Sequence, residues 1–151
     1  MAQTQLSSIP DGFLHGLRNL KVLILSGNNF ATVPSDLQRS INLEFLNLNN
    51  NPITSLNSES FKGLKSLKQL NISSMPVLKN ISCCTFSPLT QLTSLWCSFN
   101  PQLSIIKSGA FKGIAAGPED FRLSEVSNFE ELRFQPHISY FVVRNAVSFP
   151  W

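Results

Sequence analysis

The side chains able to do chemistry are few and scattered. Cysteines stand at Cys83, Cys84 and Cys97, none in a Cys-x-x-Cys pair. His15 and His137 lie far apart and give no metal-ligand spacing. There is no His-Glu-x-x-His helix, glycine-rich phosphate loop, serine elbow or calcium-loop series. Asp11 and Asp36 read as turn or helix-capping carboxylates, and Glu130-Glu131 as a solvated pair. Neither Cys83 nor Cys84 has a basic sequence neighbour, so no reactive thiol is expected. Being adjacent, these two do not readily bond each other; one of them could pair with a cysteine of a longer parent chain. No catalytic, cofactor-binding or metal-binding residue follows, and an enzyme is not expected. What remains is recognition chemistry. Asn71-Ile72-Ser73 and Asn80-Ile81-Ser82 are N-glycosylation sequons, and Trp96 and Phe99 are closely spaced aromatics.

Composition sets the frame that must position these groups. The 151 residues favour one folded unit, and at this size roughly 70% of the unfolded surface can be buried. Hydrophobic residues make up 42% and charged residues 14%, against a usual charged share of about 25%. That low charged share argues against a disordered tail or a coiled coil. The net charge of +3 is too weak to imply nucleic acid as a partner. The first residues, with no basic start and no apolar run, are not expected to be a secretory leader. No apolar run approaches the roughly 18 residues needed to span a bilayer.

The organising feature is a repeat. Leu20–Phe30, Leu43–Ile53, Leu67–Met75 and Leu92–Asn100 superimpose, with starts 23, 24 and 25 residues apart. Leu6, Ile9, Leu14 and Leu17 fit the second half of an earlier, partial copy. The shared pattern is LxxLxLxxNxL. Its paired leucines alternate along a short strand and so point to one side. Asn28, Asn51 and Asn100 follow each strand, where a side-chain amide can bond turning backbone. The third copy has Met75 at that place. Phe61, Phe86 and Phe111 recur every 25 residues on the return limbs, with Leu14 equivalent in the first copy. A stacked phenylalanine column in the core is the natural reading. Gln38 occupies the phenylalanine place in the first full copy, whose turn should be tighter. Cys97 falls on an inward strand position and reads as a small buried hydrophobe.

This pattern resembles the leucine-rich repeat family over roughly residues 1–114. It is of the typical extracellular 24-residue type, similar to the ectodomains of Toll-like, chaoptin-like and tartan-like proteins. The resemblance implies an α/β solenoid: an arc with a short parallel sheet on its concave side and loops or short helices on its convex side. It implies that Asn28, Asn51 and Asn100 form a structural ladder. It also implies protein recognition through the concave face, in adhesion or receptor–ligand binding. The outward residues there include Val22, Ile24, Phe45, Asn47, Gln69, Trp96 and Phe99. Val22, Ile24 and Phe45 make one apolar cluster; Trp96 and Phe99 make a second, which could instead pack on the tail. Large exposed aromatics are favoured binding anchors. A glycan on Asn71 would mask the centre of this face and move binding to its ends or flanks. The lysines Lys62, Lys65, Lys68, Lys107 and Lys112 read chiefly as a solvated face.

After Ile114 the register is lost, the expected leucine falling on Gly117. Residues 115–151 read as a non-repeat tail and a candidate C-terminal cap, which an open solenoid end requires. Within it, 115–128 reads as loop with a short helix. Phe129–Phe134 regains strand-like spacing, and 138–147 has strand-like composition. Charge shifts too: residues 1–114 carry 9 basic and 4 acidic groups, residues 115–151 carry 3 and 5. Met1 falls inside a strand of the pattern, and no cysteine-bearing caps flank the repeats. The chain is therefore expected to be a fragment of a longer cell-surface or extracellular-matrix protein, with any membrane contact made by the parent's other parts. The rivals are an intracellular repeat scaffold and a truncated product without independent activity. The expected partner is a protein, not nucleic acid, and the open ends or 138–147 leave room for a homodimer.

Overall fold

The structure is a computed structural model that describes residues 2–107 and 109–114, with strand backbone at 120–124 and 142–144. Each full repeat contributes one short strand to the large sheet because its apolar residues alternate there. In chain order the strands are β1 (Val22–Ile24), β2 (Phe45–Asn47), β3 (Ser55–Leu56), β4 (Gln69–Asn71), β5 (Asn80–Ile81), β6 (Ser94–Ser98), β7 (Ile105–Ile106), β8 (Asp120–Ser124) and β9 (Val142–Arg144). A six-stranded sheet runs β1-β2-β4-β6-β8-β9, and a three-stranded sheet runs β3-β5-β7. Every pairing is parallel. Parallel neighbours joined by long return limbs make the chain a solenoid.

Register follows the repeat. Leu23, Leu46, Leu70 and Leu95 are successive partners across the large sheet, and all are buried. Leu25, Leu48, Ile72 and Cys97 form the next inward column. On the return side Leu56, Ile81 and Ile106 are buried and in register across the small sheet. Phe61 stacks on Phe86 at 5.8 Å, and Phe86 on Phe111 at 5.1 Å, with interplanar angles of 15° and 12°. Full burial of Phe61 and of Phe86 stabilises the fold by roughly 1.5–3 kcal/mol each, while Phe111 is partly buried. Leu14 is buried at the head of this column. The first full copy lacks the phenylalanine and closes instead through a tight 3₁₀ helix, Ser35–Arg39, whose Leu37 fills the core.

Asparagines tie successive turns together. Asn28 Oδ1 accepts from the Thr4 and Leu6 amides at 3.1 and 3.0 Å, and its Nδ2 donates to Leu25 O at 2.9 Å. Asn51 Oδ1 accepts from Phe30 N at 3.2 Å, while its Nδ2 reaches Leu25 O and Leu48 O, both at 2.9 Å. Asn100 Oδ1 accepts from Met75 N at 2.8 Å, and its Nδ2 donates to Ile72 O at 3.1 Å. The residue before each rung position is left-handed: Gly27 (φ 65°), Asn50 (54°), Ser74 (55°) and Phe99 (58°). The chain must turn sharply there to leave the sheet. Glycine and asparagine adopt that conformation readily; phenylalanine does not.

Beyond Ile114 the structure departs from the expected loop over 115–128. Strand β8 lies there and pairs with β6 from Ser94↔Asp120 to Ser98↔Ser124. The Phe121-Arg122-Leu123 alternation supplies it, one residue later than a 25-residue spacing from Leu95 would place it. Gly117-Pro118 precedes the strand rather than replacing it. Strand β9 falls inside the strand-like stretch 138–147 and pairs with β8. The segment Phe129–Phe134 lies outside the described residues.

Candidate recognition surface

The solvent face of the large sheet is built from residues that flank the buried leucines. One row runs Val22, Phe45, Gln69, Ser94; the next runs Ile24, Asn47, Asn71, Trp96. The first row is apolar at Val22 and Phe45 and polar from Gln69 onward; the second is apolar at Ile24 and Trp96 with Asn47 and Asn71 between them. Val22 and Ile24 are 54% and 42% exposed, and half-buried Phe45 is the direct partner of Val22. These three form one contiguous apolar patch. On β6 Trp96 is half-buried, and Phe99, just past that strand, is 57% exposed. Strand β8 pairs along β6, so Trp96 stands within the sheet and not at its edge.

The middle of the face is held by local hydrogen bonds. Asn47 Oδ1 accepts from Asn49 N, and Asn71 Oδ1 from Ser73 N, each at 3.0 Å. Ser73 Oγ accepts from Ser98 N at 3.1 Å, linking two repeats. Gln69 is exposed. The sequon asparagine Asn71 is half-buried on this face, whereas Asn80 is half-buried in β5 on the return side.

A polar groove of about 420 Å³ borders the face where the strands begin, lined by Asn19, Lys21, Asn42, Glu44, Ser66, Lys68 and Gln91. Glu44 bridges three repeats there, with Lys68 Nζ at 2.8 Å and Lys21 Nζ at 3.0 Å. The Lys68 hydrogen bond, then that of Lys21, holds the Glu44 carboxyl below its ordinary range. This clamp went unforeseen, although the three residues share one place in the repeat.

The remaining chemical groups serve structure. Asp36 accepts from Gly12 N and Leu14 N at 3.3 and 2.9 Å, closing the previous turn. His15 lies between Asp36 and Arg39, 3.3 Å from each. No metal-binding cluster occurs among the described residues. Cys97 is buried, and burial pushes its thiol up to about 12 against a hydrogen bond from Asn100. Cys83 and Cys84 place their Sγ atoms 2.7 Å apart on an exposed turn. Cys83 also has a basic neighbour, Lys112, supplied by the next repeat and so invisible in the local sequence.

The sequence model of the leucine rich repeat family matches residues 2–53 and 41–101. The chain belongs to that family. Its leucine-rich repeats are of the extracellular type. They are 32% identical to chicken Tsukushi (Gallus gallus) over 114 residues, 76% of this chain and 30% of that protein. Chaoptin of Drosophila melanogaster is 42% identical over 48% of this chain and 6% of its own length. Toll-like receptor 2 type-1 of Gallus gallus is 36% identical over 64% and 12%. The chain thus spans less than a third of each of these relatives. Among solved structures, a TLR13 chain complexed with ssRNA13 superimposes with a TM-score of 0.56 and 31% identity, covering 84% of this chain and 21% of its own. Leucine-rich repeats of this kind are typically non-enzymatic interaction modules, and nothing positive points to catalysis. Among the described residues no helix is long and apolar enough to cross a membrane.

Proposed function

We propose that this chain is a protein-recognition module of a cell-surface or extracellular-matrix leucine-rich-repeat protein, acting in adhesion or receptor–ligand binding. The observation that carries the reading is the sheet face itself. Exposed Val22 and Ile24 beside Phe45 form one apolar group, and Trp96 on β6 with exposed Phe99 just past that strand forms a second, with Asn47 and Gln69 between them. Apolar anchors around polar contacts are what a protein partner engages. The lysines Lys21 and Lys68 bordering the face are both engaged by Glu44, which favours a protein over a polyanion. Residues 115–151 serve as the C-terminal cap of residues 1–114, with β8 and β9 extending the sheet past the last clear repeat. Asn71 and Asn80 carry N-glycans, a proposal that rests on their sequons; the Asn71 glycan covers the polar centre and leaves the apolar groups on either side of it to the partner.

The test is binding of the purified chain to a panel of secreted and cell-surface ectodomains, with single-stranded RNA as a further probe. Saturable ectodomain binding that persists at roughly 0.5 M salt, where charge interactions are screened, is expected. Binding to RNA alone, lost steeply with salt, would overturn the reading. The compartment is checked on the endogenous protein. N-glycan removal should increase its gel mobility, and unchanged mobility contradicts the glycosylation.

A further inference from the structure

Cys83 and Cys84 occupy the turn that leaves β5. The turn is fastened on both sides: Ser82 N donates to Leu56 O of the preceding repeat at 2.8 Å, and Cys84 N and Phe86 N donate to Gly109 O and Ala110 O of the next at 2.9 and 3.1 Å. Thr85 Oγ1 closes it internally on Ser82 O at 2.8 Å. Cys84 adopts a left-handed φ of 63°. Both sulfurs are thereby held 2.7 Å apart. Unbonded carbon atoms settle at roughly 3.5–4.0 Å, and a disulfide spans about 2.05 Å. Opposite them stands Gly109, where a Cβ would come within 3.3 Å of Cys83 Sγ. The missing side chain leaves Cys83 exposed.

We propose that Cys83 and Cys84 form a vicinal dithiol–disulfide site, oxidised within its own turn by a low-molecular-weight disulfide. The thiolate of one cysteine attacks a sulfur of the oxidant, breaking the oxidant's S–S bond and expelling one thiolate. The second cysteine loses its proton and attacks the resulting mixed disulfide, expelling the other thiolate. Two cysteine thiols become one disulfide, the oxidant becomes two thiols, and the two cysteine protons end on them. The hydrogen bond with Cys84, then desolvation, raises the Cys83 thiol above its ordinary range, against a smaller opposing pull from Lys112. Cys97 is buried and takes no part. The proposal is independent of the sheet-face reading.

The folded chain is incubated with glutathione disulfide and its intact mass and peptide map are recorded. A loss of about two mass units is expected, with the bond inside the peptide that holds both cysteines. Iodoacetamide should label both before oxidation and neither after it, Cys97 reacting only once the chain is unfolded. Dithiothreitol should reverse the change. Cys83→Ser and Cys84→Ser should each take up a single glutathione instead. Two glutathione adducts on the unaltered chain, a disulfide joining two chains, or two thiols that stay alkylatable would each overturn the proposal.

Discussion

Asn51 donates from Nδ2 to the backbone carbonyl of Leu25, 2.9 Å away and one repeat earlier. The same amide serves Leu48 O, and its oxygen takes the Phe30 amide. Asn51→Ala strands the Leu48 carbonyl and the Phe30 amide, each costing about 1–3 kcal/mol, whereas Leu25 O keeps its bond from Asn28. The variant should lose about 2–4 kcal/mol in urea unfolding. Asn47→Ala, which gives up a local turn bond in a half-buried place, should lose under about 1 kcal/mol.

Gly63 sets a limit on the return limb. Its φ is +84°, and a Cβ there would lie 2.0 Å from Gln38 O. Backbone cannot yield as a flexible side chain would. Gly63→Ala should cost more than about 3 kcal/mol or prevent folding. Gly16→Ala meets nothing within 4 Å and should stay within about 0.5 kcal/mol. Paired thermal melts check both.

Phe99 separates stability from recognition. It is exposed, yet sits in the left-handed conformation that Gly27 occupies at the same place of the first full repeat. Phe99→Gly removes that strain and should raise stability by up to about 1 kcal/mol. Ectodomain binding should fall in the same variant. A melt at lower temperature would mean that the ring is a packing element.

Glu44 gives a pH signature. Its pKa is lowered on folding, so its contribution is present above the unfolded value of 4.5 and is lost as pH falls through the lower folded value. A carboxyl NMR titration should place its midpoint below 4.5. Lys68→Ala should return the midpoint further towards that value than Lys21→Ala, since the Lys68 hydrogen bond is the larger cause.

The repeat carried most of the fold in the open. Leu23, Leu46, Leu70 and Leu95 sit where their spacing put them, and so do Phe61, Phe86 and Phe111. Three features were hidden for physical reasons. Strand β8 uses Phe121 and Leu123 one residue out of register behind Gly117-Pro118, so the leucine template missed it. The small sheet of β3, β5 and β7 rests on two-residue strands, too short to show a period. Contacts between neighbouring repeats, such as Lys112 beside Cys83, depend on stacking and leave no local trace. Which sheet-face residues a partner touches is likewise unwritten in the pattern, because the pattern fixes the inward leucines and leaves the outward positions free.

The most direct test measures dissociation constants and melting temperatures together for variants of one bound ectodomain pair. Val22→Ser, Ile24→Ser, Trp96→Ser and Phe99→Ser change the sheet face. Phe13→Ser and Leu17→Ser change exposed apolar residues outside the strands. The account predicts that sheet-face variants weaken binding by about tenfold or more with melting little altered, while the other two bind as the unaltered chain does. Binding that survives all four sheet-face changes, or that fails with Phe13→Ser or Leu17→Ser, would contradict it.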